Sequence, residues 1–204
     1  MQRRTSSLLA ALCLVMLGVP AIPTGRAAAQ TAPPPYRELE VTIPVPAGHM
    51  LSGTLTLPAG AGQYPAVVLI SGSGAQDRDE TIPIVPGYRP FRVIADHLAR
   101  RGVAVFRYDD RGTAKSTGNH ATATSAGFAD DAEAAWRVLR ARREIHPHRV
   151  GLMGHSEGGL IAAMVAARNP RIAFVASMAG PGAPGYDVLI TQNERVLRAK
   201  LPPA

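Results

Sequence analysis

The stretch "RVGLMGHSEGGLIAA", residues 149–163, predicts a buried strand, a sharp turn and the beginning of a helix. Apolar residues lead into the turn, and small and apolar residues follow it, as in elements that are buried on both sides. Ser156 lies at the turn. A serine hydroxyl is a weak nucleophile at neutral pH, so Ser156 needs a base that takes its proton.

The residues that flank Ser156 fit a nucleophile elbow. Gly154 and Gly158 give the pattern G-x-S-x-G, in which larger side chains at the glycine positions would collide with the neighbouring strand and helix. Such a turn strains the serine backbone and raises its hydroxyl above the sheet edge. The Glu157 N–H then lies at a helix N-terminus, where a developing oxyanion is stabilised. The pattern therefore predicts Ser156 as the nucleophile and the Glu157 amide as one oxyanion donor.

Strands and helices alternate through most of the chain. From residue 65 to 180 the alternation indicates βαβ units and an open, mostly parallel sheet with helices on both faces, and a hairpin precedes it. The tail after residue 180 indicates a loop and part of a helix. We predict hairpin strands at 39–45 and 50–58, strands at 65–70, 103–108, 149–154 and 172–180, and helices at 89–102, 124–144 (capped by Ser125) and 157–169.

A glycine-rich turn, "SGSGAQDRDE" at 71–80, follows the strand at 65–70. In open α/β sheets, ligands bind at the carboxyl ends of the strands, where this turn and Ser156 both lie. Glycines there let the backbone approach a substrate closely. We predict the Ser73 amide as the second oxyanion donor, with Gly74 as the alternative.

A second turn at this edge, "YDDRGTAKSTG" at 108–118, follows the next strand. We expect Asp110 and Arg111 to pair and to fix the loop beside Ser156, which is structural support rather than catalysis. Ser116 has no base nearby in the sequence and is not predicted as a nucleophile.

These segments together resemble the α/β-hydrolase superfamily. The resemblance is carried by "GTLTLP", "PAVVLISGSGAQDRDE", "PFRVIADHLARRGVAVFRYDDRG", "FADDA" and "GLMGHSEGGLIA", and it spans roughly residues 50–185. Within the superfamily the chain is similar to bacterial esterases and serine-aminopeptidase-like hydrolases, many of them secreted. The resemblance implies a three-layer αβα fold and a Ser-His-Asp triad that cleaves carboxylic esters, sometimes amides, without metal or cofactor. Ala114 departs from the glycine that it implies, which should stiffen or shift the loop.

The catalytic base is what the sequence lacks. In this fold the triad runs Ser, then Asp or Glu, then His along the chain, and no histidine follows Ser156. Among the earlier histidines, His155 is the neighbour of Ser156 in the turn and its side chain should point away from that of the serine. His120, which follows the strand at 103–108, is the only topologically possible stand-in. We therefore expect an incomplete α/β-hydrolase fold, in which truncation or an incomplete gene model has removed the last strands, the catalytic acid and the histidine.

The N-terminal residues have the pattern of a secretory signal peptide. "MQRR" is basic, 8–19 is an apolar run, and Ala27 and Ala29 form an A-x-A cleavage site. A membrane anchor is the alternative, but the run is too short, because about 20 apolar residues are needed to span a bilayer. We expect a secreted or periplasmic protein. The predicted segments are a signal peptide at 1–29, a Pro-rich lead-in at 30–37 and a partial α/β-hydrolase domain at 38–204.

Composition narrows the classes of function. With 46% hydrophobic residues, the chain suits one domain with a core. Its net charge falls from +7 to +4 without the three arginines of residues 1–29, and the remaining arginines are spread along the chain without a nucleic-acid-binding motif. Cys13, the only cysteine, lies in the predicted signal peptide, so disulfide chemistry is not expected in the mature chain.

Three functions remain open at this point. The first is a serine hydrolase that acts on carboxylic esters through an acyl-enzyme at Ser156 and has little activity in this truncated form. The others are a serine peptidase and a non-catalytic remnant or binding module. The expected partner is a small-molecule ester or amide, and neither nucleic acid nor a membrane span after signal cleavage is expected. The sequence leaves the acyl-chain preference and the oligomeric state undetermined.

The signal peptide yields a direct prediction. We expect the mature protein to begin near Gln30 and to appear outside the cytoplasm, because cleavage after Ala29 fits the A-x-A pattern. N-terminal sequencing and intact-mass measurement of protein from each cell fraction test this. Cytoplasmic protein that retains residues 1–29 intact would contradict it.

Overall fold

The computed structural model describes residues 34–201, so the predicted signal peptide at 1–29 lies outside the described residues. The order of the elements confirms a hairpin followed by alternating strands and helices. They are β1 (Tyr36–Pro44), β2 (Met50–Pro58), β3 (Tyr64–Ile70), α1 (Pro90–Ala99), β4 (Ala104–Tyr108), α2 (Ser125–Arg140), β5 (Ile145–His155), α3 (Glu157–Arg168), β6 (Val175–Met178) and α4 (Gly185–Lys200).

The described residues form one six-stranded mixed sheet in the order β1-β2-β4-β3-β5-β6. β2 pairs antiparallel with β1 and β4, whereas β3 pairs parallel with β4 and β5, and β5 pairs parallel with β6. The chain passes from β3 to β4 on one side and then returns to β5 on the other side of β3. The carboxyl ends of β3 and β5 therefore form the topological switch point, where ligands bind in such sheets.

Helices cover both faces of the sheet, which gives the predicted three layers. Val68 of β3 belongs to the core that includes Trp136 of α2 and Ile161 of α3. Its neighbour Val67 belongs to the core on the other face, with Phe91 of α1. Successive residues of a strand point to opposite faces, so a strand buried on both sides must be apolar throughout, as β3 is.

The ends of α2 differ from the prediction. Thr124, not Ser125, is the N-cap: its backbone is extended, and its side-chain oxygen accepts a hydrogen bond from the backbone N–H three residues later at 3.2 Å. Ser125 is the first helical residue, and its hydroxyl bonds to a side chain of α3 instead. The helix ends at Arg140 rather than at 144, because the chain must turn back to enter β5.

β5 and β6 also differ in extent from the prediction. β5 begins at Ile145 rather than at 149, because Ile145 pairs with Tyr64 before an irregularity in the register. β6 covers only Val175–Met178 of the predicted 172–180, since its pairing with β5 is confined to these residues. Val175 is 40% exposed, so β6 is a half-covered edge within the described residues.

Two further features lie at the ends of the described chain. β1 begins at Tyr36, inside the Pro-rich segment for which no element was predicted, and the Tyr36 hydroxyl donates to Asp96 of α1 at 2.7 Å. α4 has no buried residue and exposes apolar side chains such as Leu189 and Leu197. None of the helices within 34–201 is long and apolar enough to cross a bilayer.

The expected pair between Asp110 and Arg111 is wrong. The Asp110 carboxylate accepts hydrogen bonds from the Ser71 hydroxyl at 2.8 Å and from the Gln76 N–H at 3.0 Å. Arg111 donates instead to the fully buried Asp131 of α2 at 2.7 Å. The two side chains follow the end of β4 and bind different partners, so they support different parts of the fold.

The loop after β4 holds Ala114 in the left-handed region, with φ of +46°. A residue with a Cβ is disfavoured there by roughly 1–2 kcal/mol, whereas glycine is not. The departure from glycine noted in the sequence therefore appears as backbone strain.

Ala114→Gly should raise the free energy of unfolding by roughly 0.5–1 kcal/mol, because relief of strain exceeds the added entropy of the unfolded chain. Ala163→Gly, at an exposed position of α3, is the matched control and should lower it by about 1 kcal/mol. Urea unfolding of the three proteins measures both effects. A loss of stability in Ala114→Gly equal to that of the control would contradict the strain.

Candidate active site

Ser156 occupies the turn between β5 and α3 in a left-handed conformation, with φ of +52° and ψ of −120°. This backbone costs a residue with a side chain on the order of 1–3 kcal/mol. The Ser156 N–H donates to the Met178 carbonyl at 2.9 Å, and its own carbonyl accepts from the Gly159 N–H at 3.0 Å. Strain that the surrounding structure maintains in this way is typical of functional sites.

Gly154 and Gly158 make room for this turn. A Cβ on Gly154 would overlap the backbone of Gly158, and a Cβ on Gly158 would overlap the Ile70 carbonyl group of β3. The start of α3 therefore touches the ends of both β3 and β5. Backbone approach of this kind is the reason that the sequence pattern requires glycine.

The turn after β3 lies directly against Ser156. A Cβ on Gly72 would lie 3.2 Å from the Ser156 Cβ, so any larger residue would crowd the serine. The Gly72 N–H donates to the Glu80 carboxylate at 2.9 Å and is not free for a substrate. In the described part of the chain, the Ser73 and Glu157 N–H groups have no hydrogen-bond partner, as oxyanion donors require.

Two cavities flank Ser156. The first has a volume of about 350 Å³ and is lined by Ser73, Ser125 and Glu157 together with apolar residues. The second has a volume of about 300 Å³. Ser73 and Ser156 line both cavities, whereas Gly74 lines neither. Of the two donors predicted for this turn, Ser73 is therefore the one that lies beside the serine.

The carboxylate of Asp110 holds the turn that contains Ser73. Asp110 is 6% exposed and binds both the first residue of the turn, Ser71, and the backbone of Gln76. Burial raises the pKa of Asp110 to about 7. Near neutral pH this group is therefore partly protonated, which lowers the cost of burying it.

Arg78 ties the same turn to the sheet. Its guanidinium donates to Asp109 at the end of β4 at 2.7 and 3.0 Å, and to Glu40 of β1 at 2.7 and 2.8 Å. Its backbone N–H also donates to Asp109 at 2.9 Å. Hydrogen bonding to Asp109 raises the pKa of Arg78 above its ordinary value. A planar guanidinium can bridge two carboxylates in this way, whereas a lysine ammonium cannot.

The next two residues of the turn are also held by charge. Asp79 pairs with the buried Arg107 of β4. Glu80 is 5% exposed and has a left-handed backbone with φ of +53°. Its carboxylate binds the Gly72 N–H and lies 2.7 Å from His155 Nδ1. The pair of Glu80 and His155 therefore closes the turn against the residue that precedes Ser156.

The Glu157 side chain links three elements at the front of the site. Its carboxylate accepts hydrogen bonds from the Ser73 hydroxyl at 2.7 Å and from the Ser125 hydroxyl at 2.6 Å. Ser73 belongs to the turn after β3, Ser125 opens α2, and Glu157 opens α3. The hydroxyl of Ser73 thus faces Glu157 while its amide remains without a partner.

No histidine nitrogen hydrogen-bonds Ser156 Oγ within residues 34–201. The His49 ring is bound to Asp131 at 2.8 Å, and His155 is bound to Glu80. The His120 ring packs against Phe128, with ring centroids 5.3 Å apart. His146 and His148 lie at the amino end of β5, the edge opposite Ser156, as expected.

Comparison with known proteins identifies the family. A model of the family described as "Serine aminopeptidase, S33" matches residues 87–201. The chain belongs to this family. The chain is also similar to Esterase EstD from Thermotoga maritima, with 32% identity over 160 residues. That match covers 78% of this chain and 36% of EstD.

Solved structures agree on the fold. The chain superposes on esterase Pf2001 from Pyrococcus furiosus with a TM-score of 0.62 at 22% identity, over 82% of this chain and 58% of that one. It superposes on the α/β hydrolase GrgF from Penicillium sp. sh18 with a TM-score of 0.60 at 20% identity, over 80% of this chain and 54% of that one. The resemblance to α/β hydrolases is confirmed. The chain spans about a third of the length of EstD and just over half of each structure.

Sequence reasoning missed the side chains that hold the Ser73 turn. Arg78, Asp79 and Glu80 all lie in the quoted segment "SGSGAQDRDE", which was interpreted only through its glycines and Ser73. Four charged residues in a turn between two buried elements indicate that ion pairs or hydrogen bonds hold the turn, because buried charges need partners. Their partners, such as Glu40 and Asp109, are distant in sequence, so the pairs emerge only in the fold.

Asp110 predicts how stability depends on pH. Its pKa rises from the ordinary value of 3.8 to about 7 on folding, so the folded chain binds this proton more tightly than the unfolded chain. The stabilisation is fully present below pH 3.8 and is lost as the pH rises through 7. Between pH 5 and pH 8, the wild type should lose roughly 2–3 kcal/mol of unfolding free energy relative to Asp110→Asn, which does not titrate.

Urea unfolding at the two pH values measures this difference. Asp96→Asn is the matched control, because Arg100 and Tyr36 lower the pKa of Asp96 and it stays ionised over this range. A wild type and Asp110→Asn that change in parallel between pH 5 and pH 8 would show that Asp110 is ionised throughout.

Proposed function

We propose that the chain carries the nucleophile and the oxyanion hole of a serine esterase. Ser156 Oγ attacks the carbonyl carbon of a carboxylic ester, the alcohol leaves, and an acyl-enzyme forms that water then hydrolyses. The N–H groups of Ser73 and Glu157 stabilise the negative charge on the carbonyl oxygen. The substrate is a small molecule that occupies the cavities beside Ser156.

One observation carries this proposal. The strained Ser156 turn and the Ser73 turn lie against each other at the carboxyl ends of β5 and β3, with only the hydrogen of Gly72 between them. Two free N–H groups, those of Ser73 and Glu157, flank the serine there. A donor pair on either side of a strained serine suits a tetrahedral oxyanion and has no evident structural use.

Within residues 34–201 no histidine nitrogen hydrogen-bonds Ser156 Oγ, so we propose that this chain reacts slowly by itself. Serine hydrolases that lose triad members still accelerate the reaction about 10³–10⁴-fold over the rate in water, through the oxyanion hole and substrate binding. A base added to the solution should therefore restore part of the reactivity of Ser156.

A serine peptidase is the second candidate, because the family that matches is described as a serine aminopeptidase. Amides and esters share the tetrahedral intermediate and differ in the leaving group, so the same serine and donors would serve both. The similarity to Esterase EstD favours the ester.

The test is labelling by a fluorophosphonate probe with and without added imidazole. We expect slow labelling of the 204-residue chain, acceleration by imidazole acting as an external base, and neither effect in Ser156→Ala. Peptide mass spectrometry locates the adduct. Imidazole hydrolyses activated esters by itself, so labelling rather than ester turnover is the readout.

The outcomes separate the alternatives. An adduct at another residue, or an equal rate in Ser156→Ala, would refute Ser156 as the nucleophile and support a non-catalytic binding module. Rapid stoichiometric labelling without imidazole, abolished by Ser156→Ala, would show that a base exists within these residues. His120 would then be the first residue to replace.

A further inference from the structure

Glu157 is held by hydroxyl groups and has no basic partner. Ser73 and Ser125 each donate a hydrogen bond to one of its carboxylate oxygens, at 2.7 and 2.6 Å. Within residues 34–201, no lysine, arginine or histidine forms an ion pair with this carboxylate. Its position at the N-terminus of α3 offsets part of the charge. In the described part of the chain, the Glu157 carboxylate is therefore bound by hydroxyl groups and not by a cation.

The other carboxyl groups beside Ser156 are compensated differently. Glu80 lies 2.7 Å from a ring nitrogen of His155, and Asp109 pairs with Arg78 at 2.7 Å. Asp110 is partly protonated near neutral pH, since burial raises its pKa to about 7. Unlike Glu80 and Asp109, Glu157 has no neighbouring cation among the described residues, and unlike Asp110 it is only half-buried.

The side chains of the cluster present only hydrogen-bond acceptors to a ligand. A carboxylate offers about four lone-pair positions, and the two serine hydroxyls occupy two of them. Each serine oxygen has donated its hydrogen to Glu157 and keeps its own lone pairs. A group with several N–H donors and a positive charge complements this arrangement. A primary ammonium has three such donors.

These three residues line the same cavity as Ser156. The cavity has a volume of about 350 Å³, within the range of small-molecule sites. Beyond the polar cluster its wall is largely apolar and is formed by Leu160, Ala179, Pro181, Val188 and Leu189. A ligand that suits both parts has an ammonium group and a short apolar chain.

The position of Glu157 also bears on the reaction. Its amide is a proposed oxyanion donor, and its carboxylate binds the side chain of Ser73, the other proposed donor. A negative charge so close to a developing oxyanion opposes it. A cation bound at the carboxylate would remove that repulsion and would favour the transition state.

We propose that Glu157, Ser73 and Ser125 form a subsite for a primary ammonium group on the substrate. The preferred substrates are then esters or amides that also carry an amine. The identity of the ligand as a substrate rests on the proposed attack by Ser156, whereas binding of the ammonium group needs no reaction.

The probe is n-butylammonium, titrated into the 204-residue chain at pH 7.5 and followed by ligand-observed NMR. We expect binding with a dissociation constant on the order of millimolar, as suits so small a ligand. Glu157→Gln should weaken binding by roughly tenfold or more, the loss expected for a hydrogen bond to a charged group. Glutamine keeps the size of the side chain, but its amide NH2 donates to one serine where a carboxylate oxygen accepted, so the variant removes the charge and one acceptor.

Three controls isolate the ammonium contact. Glu194→Gln makes the same change at an exposed position of α4 that does not line the cavity, and it should bind as the wild type does. n-Butyltrimethylammonium keeps the charge without N–H donors and should bind several-fold more weakly. Ser125→Ala removes one acceptor and should give an intermediate loss without altering the carboxylate.

The proposal is overturned if n-butylammonium does not bind, or if it binds Glu157→Gln and wild type equally. Thermal unfolding of each variant shows whether a loss of binding reflects loss of the fold. Ser156→Ala separates the two proposals, because it should bind n-butylammonium normally while it fails to react with a fluorophosphonate. Binding without serine reactivity would leave the subsite standing and refute the esterase.

Discussion

The site depends on how closely the backbone of α3 approaches the ends of β3 and β5. Hydrogen is the only side chain that fits at Gly154 and Gly158, and the tight turn holds Ser156 in a left-handed backbone conformation. The same approach brings Gly72 against Ser156 and so aligns the turn after β3 with the serine. Because these contacts are between backbones, the positions of Ser156 and the two free amides are set by the sheet rather than by flexible side chains.

Charge holds the turn after β3 in this position. Asp109 and Asp110, at the end of β4, bind Arg78 and Ser71 within the turn, and Glu80 closes it on Gly72. Groups of this kind are costly to bury unless each finds a partner, so removing one partner leaves an uncompensated charge. The turn is therefore built to be rigid, as preorganised oxyanion donors require.

Much of this could be predicted from the sequence because it depends on local patterns. The strand, turn and helix around Ser156 follow from apolar runs and glycine spacing, and the order of the elements gives the parallel sheet. The pairing of Asp110 with Arg111 was wrong, because adjacency in sequence does not place two strand-end side chains together. Thr124 replaced Ser125 as a cap for a similar reason: the Ser125 hydroxyl binds Glu157, which only the folded chain brings close.

The central claim is that Ser156 is the nucleophile and that the Ser73 and Glu157 amides form its oxyanion hole. The most direct measurement is a crystal structure of the phosphonate adduct, formed by prolonged incubation at high reagent concentration. The account predicts phosphorus bonded to Ser156 Oγ and the phosphonyl oxygen within about 2.7–3.1 Å of both N–H groups. An adduct whose oxygen points to solvent, or to the Gly74 amide instead of Ser73, would contradict it.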